Sequence, residues 1–273
     1  EYEQTYLAQV RASCGRIMSE RREVEGVPLE NVFVMLEATP TASRDLQTDL
    51  PRTSQKDKES IPKKSPRTDR ESSDEKPRRE ITPPVPISLS RALQKHQQLV
   101  VLGEAGAGKS TLLQFLALYF ATDGLPKTKL ALTEVRVPIR IELRNYETAL
   151  GDTLVKEVAR TGLFDPLSSQ TSQYIAFLLL KEWFAKDKVL LLLDGLDEIL
   201  EVQRQAVISE AMKLAKQCRI VFTSRLAGYR VIAEPFTAYT IKPFSGSEDA
   251  LPYAIGWLKS FSPELKDDEA QTK

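Results

Sequence analysis

The chain has few of the residues that usually mark a metal or redox protein. Its 273 residues include two cysteines, Cys14 and Cys218, and one histidine, His96. Cysteines so far apart provide neither a disulfide framework nor a zinc ligand set, and they suit a reducing compartment. His96 sits just before an apolar run and is given no function, since a satisfied or surface histidine accounts for it. An excess of charge of one sign is also missing: 38 basic residues balance 38 acidic ones. That balance removes a whole-chain attraction to nucleic acid or anionic membrane. The longest apolar runs, such as Val189 to Leu193, are far too short to span a bilayer, and no signal peptide opens the chain. A cytoplasmic protein is expected, with no direct nucleic-acid or membrane binding. The chain begins at Glu1 rather than methionine and ends in a polar run, and it reads as a piece of a longer protein.

What is present suffices for a sizeable core: 41% of residues are hydrophobic and 28% charged. Four segments are expected. Residues 1–40 carry Tyr6, Leu7, Val10, Ile17 and Met18 at roughly helical spacing, and Asn31 to Leu36 is rich in strand formers, so a helix followed by a strand is predicted. Residues 41–85 are dominated by Ser, Thr, Pro and charges, with too little apolar surface to offset ordering, and read as a disordered linker. Residues 86–244 alternate apolar runs with helical patterns, as a parallel sheet with covering helices does. Strands are predicted at Leu99–Leu102, Val135–Leu143, Val189–Asp194, Ile220–Thr223 and Ala238–Ile241. Helices are predicted after the first strand, over Asp152–Arg160, through Tyr174 to Trp183, and over Val202–Ala215. Residues 245–273 open with Ser245 and Glu248 at capping-box spacing, starting a helix with Leu251, Ala254, Trp257, Leu258 and Phe261 inward.

Three motifs carry chemistry. Gly103-Glu104-Ala105-Gly106-Ala107-Gly108-Lys109-Ser110-Thr111 satisfies G-x-x-x-x-G-K-[ST] between a predicted strand and helix. The glycines let backbone amides turn toward phosphate oxygens, and the helix adds its positive end. Lys109 is placed to reach the β- and γ-phosphates, and the Ser110 hydroxyl to hold magnesium. Second, the apolar strand Val189–Leu193 delivers Asp194 to the mouth of the sheet as a second magnesium-shell residue, with Asp197 and Glu198 close behind. So tight a group of acids is costly unless a cation sits among them. Third, Ile220 to Arg225 ends a strand in Thr223, Ser224 and Arg225. Arg225 either stabilises charge on a γ-phosphate or is an exposed arginine after a strand.

Together these motifs resemble the NACHT family of STAND-class P-loop NTPases, over about Pro86 to Phe244. The mark is Asp194, a small residue at Gly195, then the adjacent acids Asp197 and Glu198; Thr223 to Arg225 looks like the family's sensor 1. The resemblance implies a three-layer α/β/α fold with a mostly parallel five-stranded sheet, followed by the start of a helical subdomain. It implies ATP/ADP and Mg2+ as ligands, slow hydrolysis, and self-association in the ATP state. It also implies signalling in innate immune or antiphage defence, and partner winged-helix and sensor domains beyond this stretch. Glu198 is the first choice and Asp197 the second for the general base, with Lys109 and Arg225 acting on the phosphates. The sequence departs from many relatives in having Ala105 and Leu226 where they carry proline. A P-loop kinase acting on a small molecule and a non-hydrolysing ATP-binding scaffold remain alternatives. No N-K-x-D motif for guanine occurs.

Overall fold

A computed structural model describes residues 2–17, 26–41, 85–122, 130, 132, 134–145, 170–227, 229–243 and 247–261. The predicted linker, except at its ends, and the predicted helix Asp152–Arg160 lie outside these residues, as does Ser245 of the predicted capping box. The elements run α1 (Tyr2–Cys14), β1 (Arg16–Ile17), β2 (Val27–Pro28), α2 (Leu29–Val32), β3 (Glu37–Pro40), β4 (Ile87–Ser88), α3 (Leu89–Lys95), β5 (Gln98–Leu102), α4 (Lys109–Ala121), β6 (Val137–Glu142), α5 (Gln170–Ala185), β7 (Val189–Asp194), α6 (Glu201–Leu214), β8 (Cys218–Ser224), β9 (Thr237–Ile241) and α7 (Ser247–Phe261).

The central sheet has the order β4-β3-β9-β5-β8-β7-β6. Its five long strands, β9, β5, β8, β7 and β6, are mutually parallel, as predicted. Every residue of β5, β7 and β8 is buried, because a parallel sheet is covered on both faces; this is why their centres, Leu99–Leu102, Val189–Leu193 and Ile220–Phe222, read as apolar runs. The sheet is wider than the five strands expected, since the antiparallel pair β3 and β4 extends it beyond β9.

Residues 2–17 and 26–40 contribute to this core, through Tyr6, Val10, Leu29, Phe33 and Leu36 among others. Helix α1 packs along α4, and the Tyr6 hydroxyl donates to the Pro138 carbonyl of β6 at 2.6 Å. Two side chains cap helix ends across this seam: Arg11 donates to the Ala121 carbonyl and Gln114 to that of Cys14. The predicted strand at Asn31–Leu36 is displaced. Leu29–Val32 is a single helical turn, 33–36 belong to no strand, with the Leu36 carbonyl accepting the Leu89 amide at 2.9 Å, and strand pairing begins at Glu37. Phe33 stacks on Phe115 with ring centroids 3.8 Å apart, so its apolar character serves packing and not a ladder.

At the amino ends of the strands, fully buried Arg219 donates to the carbonyls of Leu93 and His96 and pairs with Glu134. Glu134 also holds Arg136, which reaches Asp187. His96 bonds the Tyr239 hydroxyl and the Thr237 hydroxyl, so it is a satisfied structural side chain. Cys14 and Cys218 are buried free thiols, and burial pushes Cys218 up to about 12. Of the residues expected to face inward in α7, Leu251 and Leu258 are 55% and 59% exposed. The helix instead touches α2 through Gly256, where an added Cβ would lie 2.7 Å from the Asn31 carbonyl oxygen. Among the described residues no helix is long and apolar enough to cross a membrane.

Candidate functional site

The carboxyl ends of β5, β7 and β8 lie side by side, because Leu102 pairs in register with Ser224 and Leu193 with Phe222. The chain leaves each strand at the same edge, the edge where open α/β sheets bind ligands. After β5 the loop 103–108 turns into α4. Gly106 and Gly108 have φ of 79° and 83°, a left-handed backbone that any side chain would strain. A Cβ on Gly106 would meet nothing within 4 Å, so this curl opens onto free space. The Lys109 ammonium folds back over the loop, donating to the carbonyls of Gly103 at 2.8 Å and Glu104 at 2.9 Å. Burial lowers its pKa and Arg225 lowers it further, while Asp197, Asp194 and Glu104 oppose the shift. The lysine therefore sits within the field of the other motif residues.

Asp194 is 8% exposed and engaged on both oxygens. Its Oδ1 accepts from the Ser110 hydroxyl at 3.1 Å and from the Thr223 hydroxyl at 2.6 Å. Thr223 Oγ1 in turn accepts the Gly195 amide at 2.9 Å. One buried threonine thus ties the ends of β7 and β8 together and fixes the carboxylate. Asp194 Oδ2 pairs at 3.1 Å with Arg140, which also pairs with Glu142 at 3.0 Å. Glu142 stands opposite Asp194 in the β6–β7 register, and its other oxygen accepts from Arg144.

Gly195, at φ 81°, lets the chain turn sharply into the helical turn Leu196–Glu198. Asp197 binds Arg225 through the backbone amide at 2.8 Å and Nε at 3.2 Å. Glu198 is exposed, and its carboxyl carbon lies 2.9 Å from where a Cβ on Gly195 would be. All the residues singled out by the three motifs thus converge at one edge of the sheet.

Beside the loop lies a cavity of about 690 Å³ that the sequence did not announce. One wall is the loop from Gly103 to Gly108 with Thr111. Most of the remaining lining is apolar and includes Phe33, Val34, Leu36, Leu226, Pro243 and Tyr253. Its size lies within the range of small-molecule sites. The sequence reading also missed Arg140 and Glu142. The available signal was the alternation of Arg140 and Glu142 in an otherwise apolar strand, which sets both on one face.

The donor set suits a magnesium nucleotide. A hydroxyl and a carboxylate meet at the mouth of a glycine loop, and among the described residues no three His, Cys, Asp or Glu side chains converge as a cage. Magnesium is commonly held by one or two protein groups with phosphate oxygens and waters. The mostly parallel sheet, the glycine loop entering α4 and the acid ending β7 define a nucleotide-binding P-loop NTPase.

The family model of the NACHT domain matches residues 97–255, more than half of the chain. The chain belongs to the NACHT family. No curated protein matches it. Among solved structures, that of C. elegans PCH-2 is similar at 16% identity with a TM-score of 0.30; the match covers 57% of this chain and 41% of that one. The chain thus spans under half of that protein's length.

Proposed function

We propose that this chain binds ATP with magnesium at the edge formed by β5, β7 and β8, and that it works as a slowly hydrolysing switch. The observation that carries the reading is the junction of Ser110, Asp194 and Thr223 beneath the glycine loop, with an apolar cavity alongside. In this reading the amides of 103–110 and the Lys109 ammonium hold the β- and γ-phosphates; Lys109 exchanges its two loop carbonyls for phosphate oxygens. The base lies against Phe33, Leu36 and Pro243, an apolar wall that suits a flat ring. Ser110 and Asp194 hold the metal, which when bound neutralises phosphate charge and orients the chain for attack.

Asp197 has both oxygens committed to Arg225, so Glu198 is the better general base, taking a proton from the attacking water. Arg225 keeps its two terminal nitrogens free of partners among the described residues, and we assign them to the γ-phosphate. Only ATP carries that group, so the contact distinguishes two ligands, which is what shifts a conformational equilibrium. The ATP state is the self-associating one, in a cytoplasmic signalling protein of innate immune or antiphage defence. Calorimetric titration with ATP, ADP and GTP, on the wild type and Lys109→Ala, tests the reading. ATP and ADP must bind the wild type, and Lys109→Ala must lose both while keeping its circular dichroism. Tight ATP binding by a folded Lys109→Ala variant refutes it.

A further inference from the structure

We infer that Arg140 is the built-in counter-cation of Asp194 and sets how strongly the empty site holds a divalent metal, so that metal enters with nucleotide and not alone; this rests on the reading of Asp194 as part of the metal shell. The argument starts from strand register. Glu142 of β6 is the direct partner of Asp194 of β7, so two carboxylates project side by side from the same face of the sheet. Like charges directly opposite each other destabilise a pair of strands. Arg140, two residues earlier on that face, answers them both: one terminal nitrogen lies 3.0 Å from Glu142 Oε1 and 3.1 Å from Asp194 Oδ2.

The guanidinium is not there for its own comfort. Its Nε is buried with no hydrogen-bond partner among the described residues, which costs free energy. The contact divides the work of Asp194 between its two oxygens. Oδ2 belongs to Arg140, while Oδ1 faces Ser110 and Thr223 on the side of the glycine loop. A free metal ion approaching Oδ1 meets a carboxylate whose charge is already answered, with a fixed positive group within bonding distance of it. A charge at this range shifts the balance between two charge states by one to three powers of ten. A nucleotide brings several negative charges of its own, enough to outweigh one guanidinium. The empty site then favours arginine over metal, and the nucleotide-filled site reverses the preference.

Mn2+ alone, titrated onto nucleotide-free protein and followed by electron paramagnetic resonance, tests this. Arg140→Gln should bind Mn2+ about tenfold or more tightly than the wild type. Arg140→Lys, which keeps the charge, should stay near the wild type, and Arg140→Gln with Asp194→Asn should lose the gain. A folded Arg140→Gln variant with unchanged Mn2+ affinity overturns the role of Arg140 alone, as does Arg140→Lys binding as tightly as Arg140→Gln. A gain that persists without the Asp194 carboxylate overturns the metal placement itself, and the proposal with it. Should Arg140→Gln fail to fold, Glu142→Gln replaces it. That variant leaves Arg140 wholly to Asp194, so the increase in ATP affinity on adding Mg2+ must shrink; an unchanged increase overturns the proposal.

Discussion

Asp197 grips Arg225 at two points: one carboxylate oxygen accepts its backbone amide at 2.8 Å and the other pairs with Nε at 3.2 Å. The grip fixes where the side chain leaves the end of β8 and turns the terminal nitrogens outward. Arg225→Ala is expected to weaken ATP binding about tenfold, the worth of a charge-assisted hydrogen bond, with ADP nearly unaffected. Asp197→Asn should lose part of the same preference. Combined, the two substitutions should cost no more than Arg225→Ala by itself, because the acid acts through the arginine. Calorimetry with both nucleotides on the four proteins gives the coupling. Equal losses for ATP and ADP would make Arg225 a structural or β-phosphate residue.

Glu198→Gln is expected to keep ATP affinity while single-turnover phosphate release slows on the order of a hundredfold. Gly195→Ala approaches the same group without deleting it. Its new Cβ would lie 2.9 Å from the Glu198 carboxyl carbon, on a backbone with φ 81°. Turnover should fall in this variant also. Unchanged release in Glu198→Gln would place the base elsewhere.

Gly256→Ala separates the last helix from the first segment. The added Cβ meets backbone, at 2.7 Å from the Asn31 oxygen and 3.2 Å from the Val32 Cα, and backbone cannot swing aside as a side chain does. Tyr253, which lines the cavity, leaves with α7. Hydrogen exchange should rise in α2 and α7 while β5, β7 and β8 keep their protection. Loss of protection throughout would instead mean that α7 holds the whole domain together.

Acid should weaken the far end of the sheet. Burial tends to raise the Glu134 pKa, but hydrogen bonds and charge from Arg136 and Arg219 outweigh it and leave the group below its ordinary value. A carboxylate depressed in the folded state stabilises above its unfolded pKa, and that contribution is lost as pH falls through the folded value. Glu134→Gln should therefore lower the melting temperature at neutral pH, where fully buried Arg219 loses its carboxylate at a cost of about 3 kcal/mol or more. The difference from wild type should begin to shrink below about pH 4.3, the ordinary value for glutamate. A gap that stays constant into strong acid would contradict this account.

The parallel strands were legible because burial on both faces writes them as plain apolar runs; Val189–Asp194 lies where it was expected. The convergence of Lys109, Ser110, Asp194, Asp197, Glu198 and Arg225 was legible for a related reason: each motif ends or follows a strand, and parallel strands end together. The neighbourhood of these residues was less visible. Asn31–Leu36 has strand composition, yet Phe33 and Leu36 line a cavity and pairing starts one residue later, at Glu37. Strand formers report burial, and the choice of pairing residues belongs to β9, far along the chain. Arg140 was hidden likewise, since its meaning depends on the register that sets Glu142 against Asp194. On α7, helical spacing gave an apolar face, but spacing does not say what covers it.

The hydroxyls of Thr41 and Thr240 meet at 2.8 Å across 199 residues of chain. During synthesis, therefore, the strand that ends just before Thr41 can pair with β4 early, but the edge it presents to β9 stays open until Tyr239–Ile241 has left the ribosome. At about 5–20 residues per second that interval lasts roughly 10–40 s. Within it Phe33 and Leu36 gain α4 and the glycine loop to pack against, but Ile241 and Pro243, which line the same cavity, are still to come. The wall of the cavity is made first and seated last, so the birth of a working nucleotide pocket is timed by the arrival of β9.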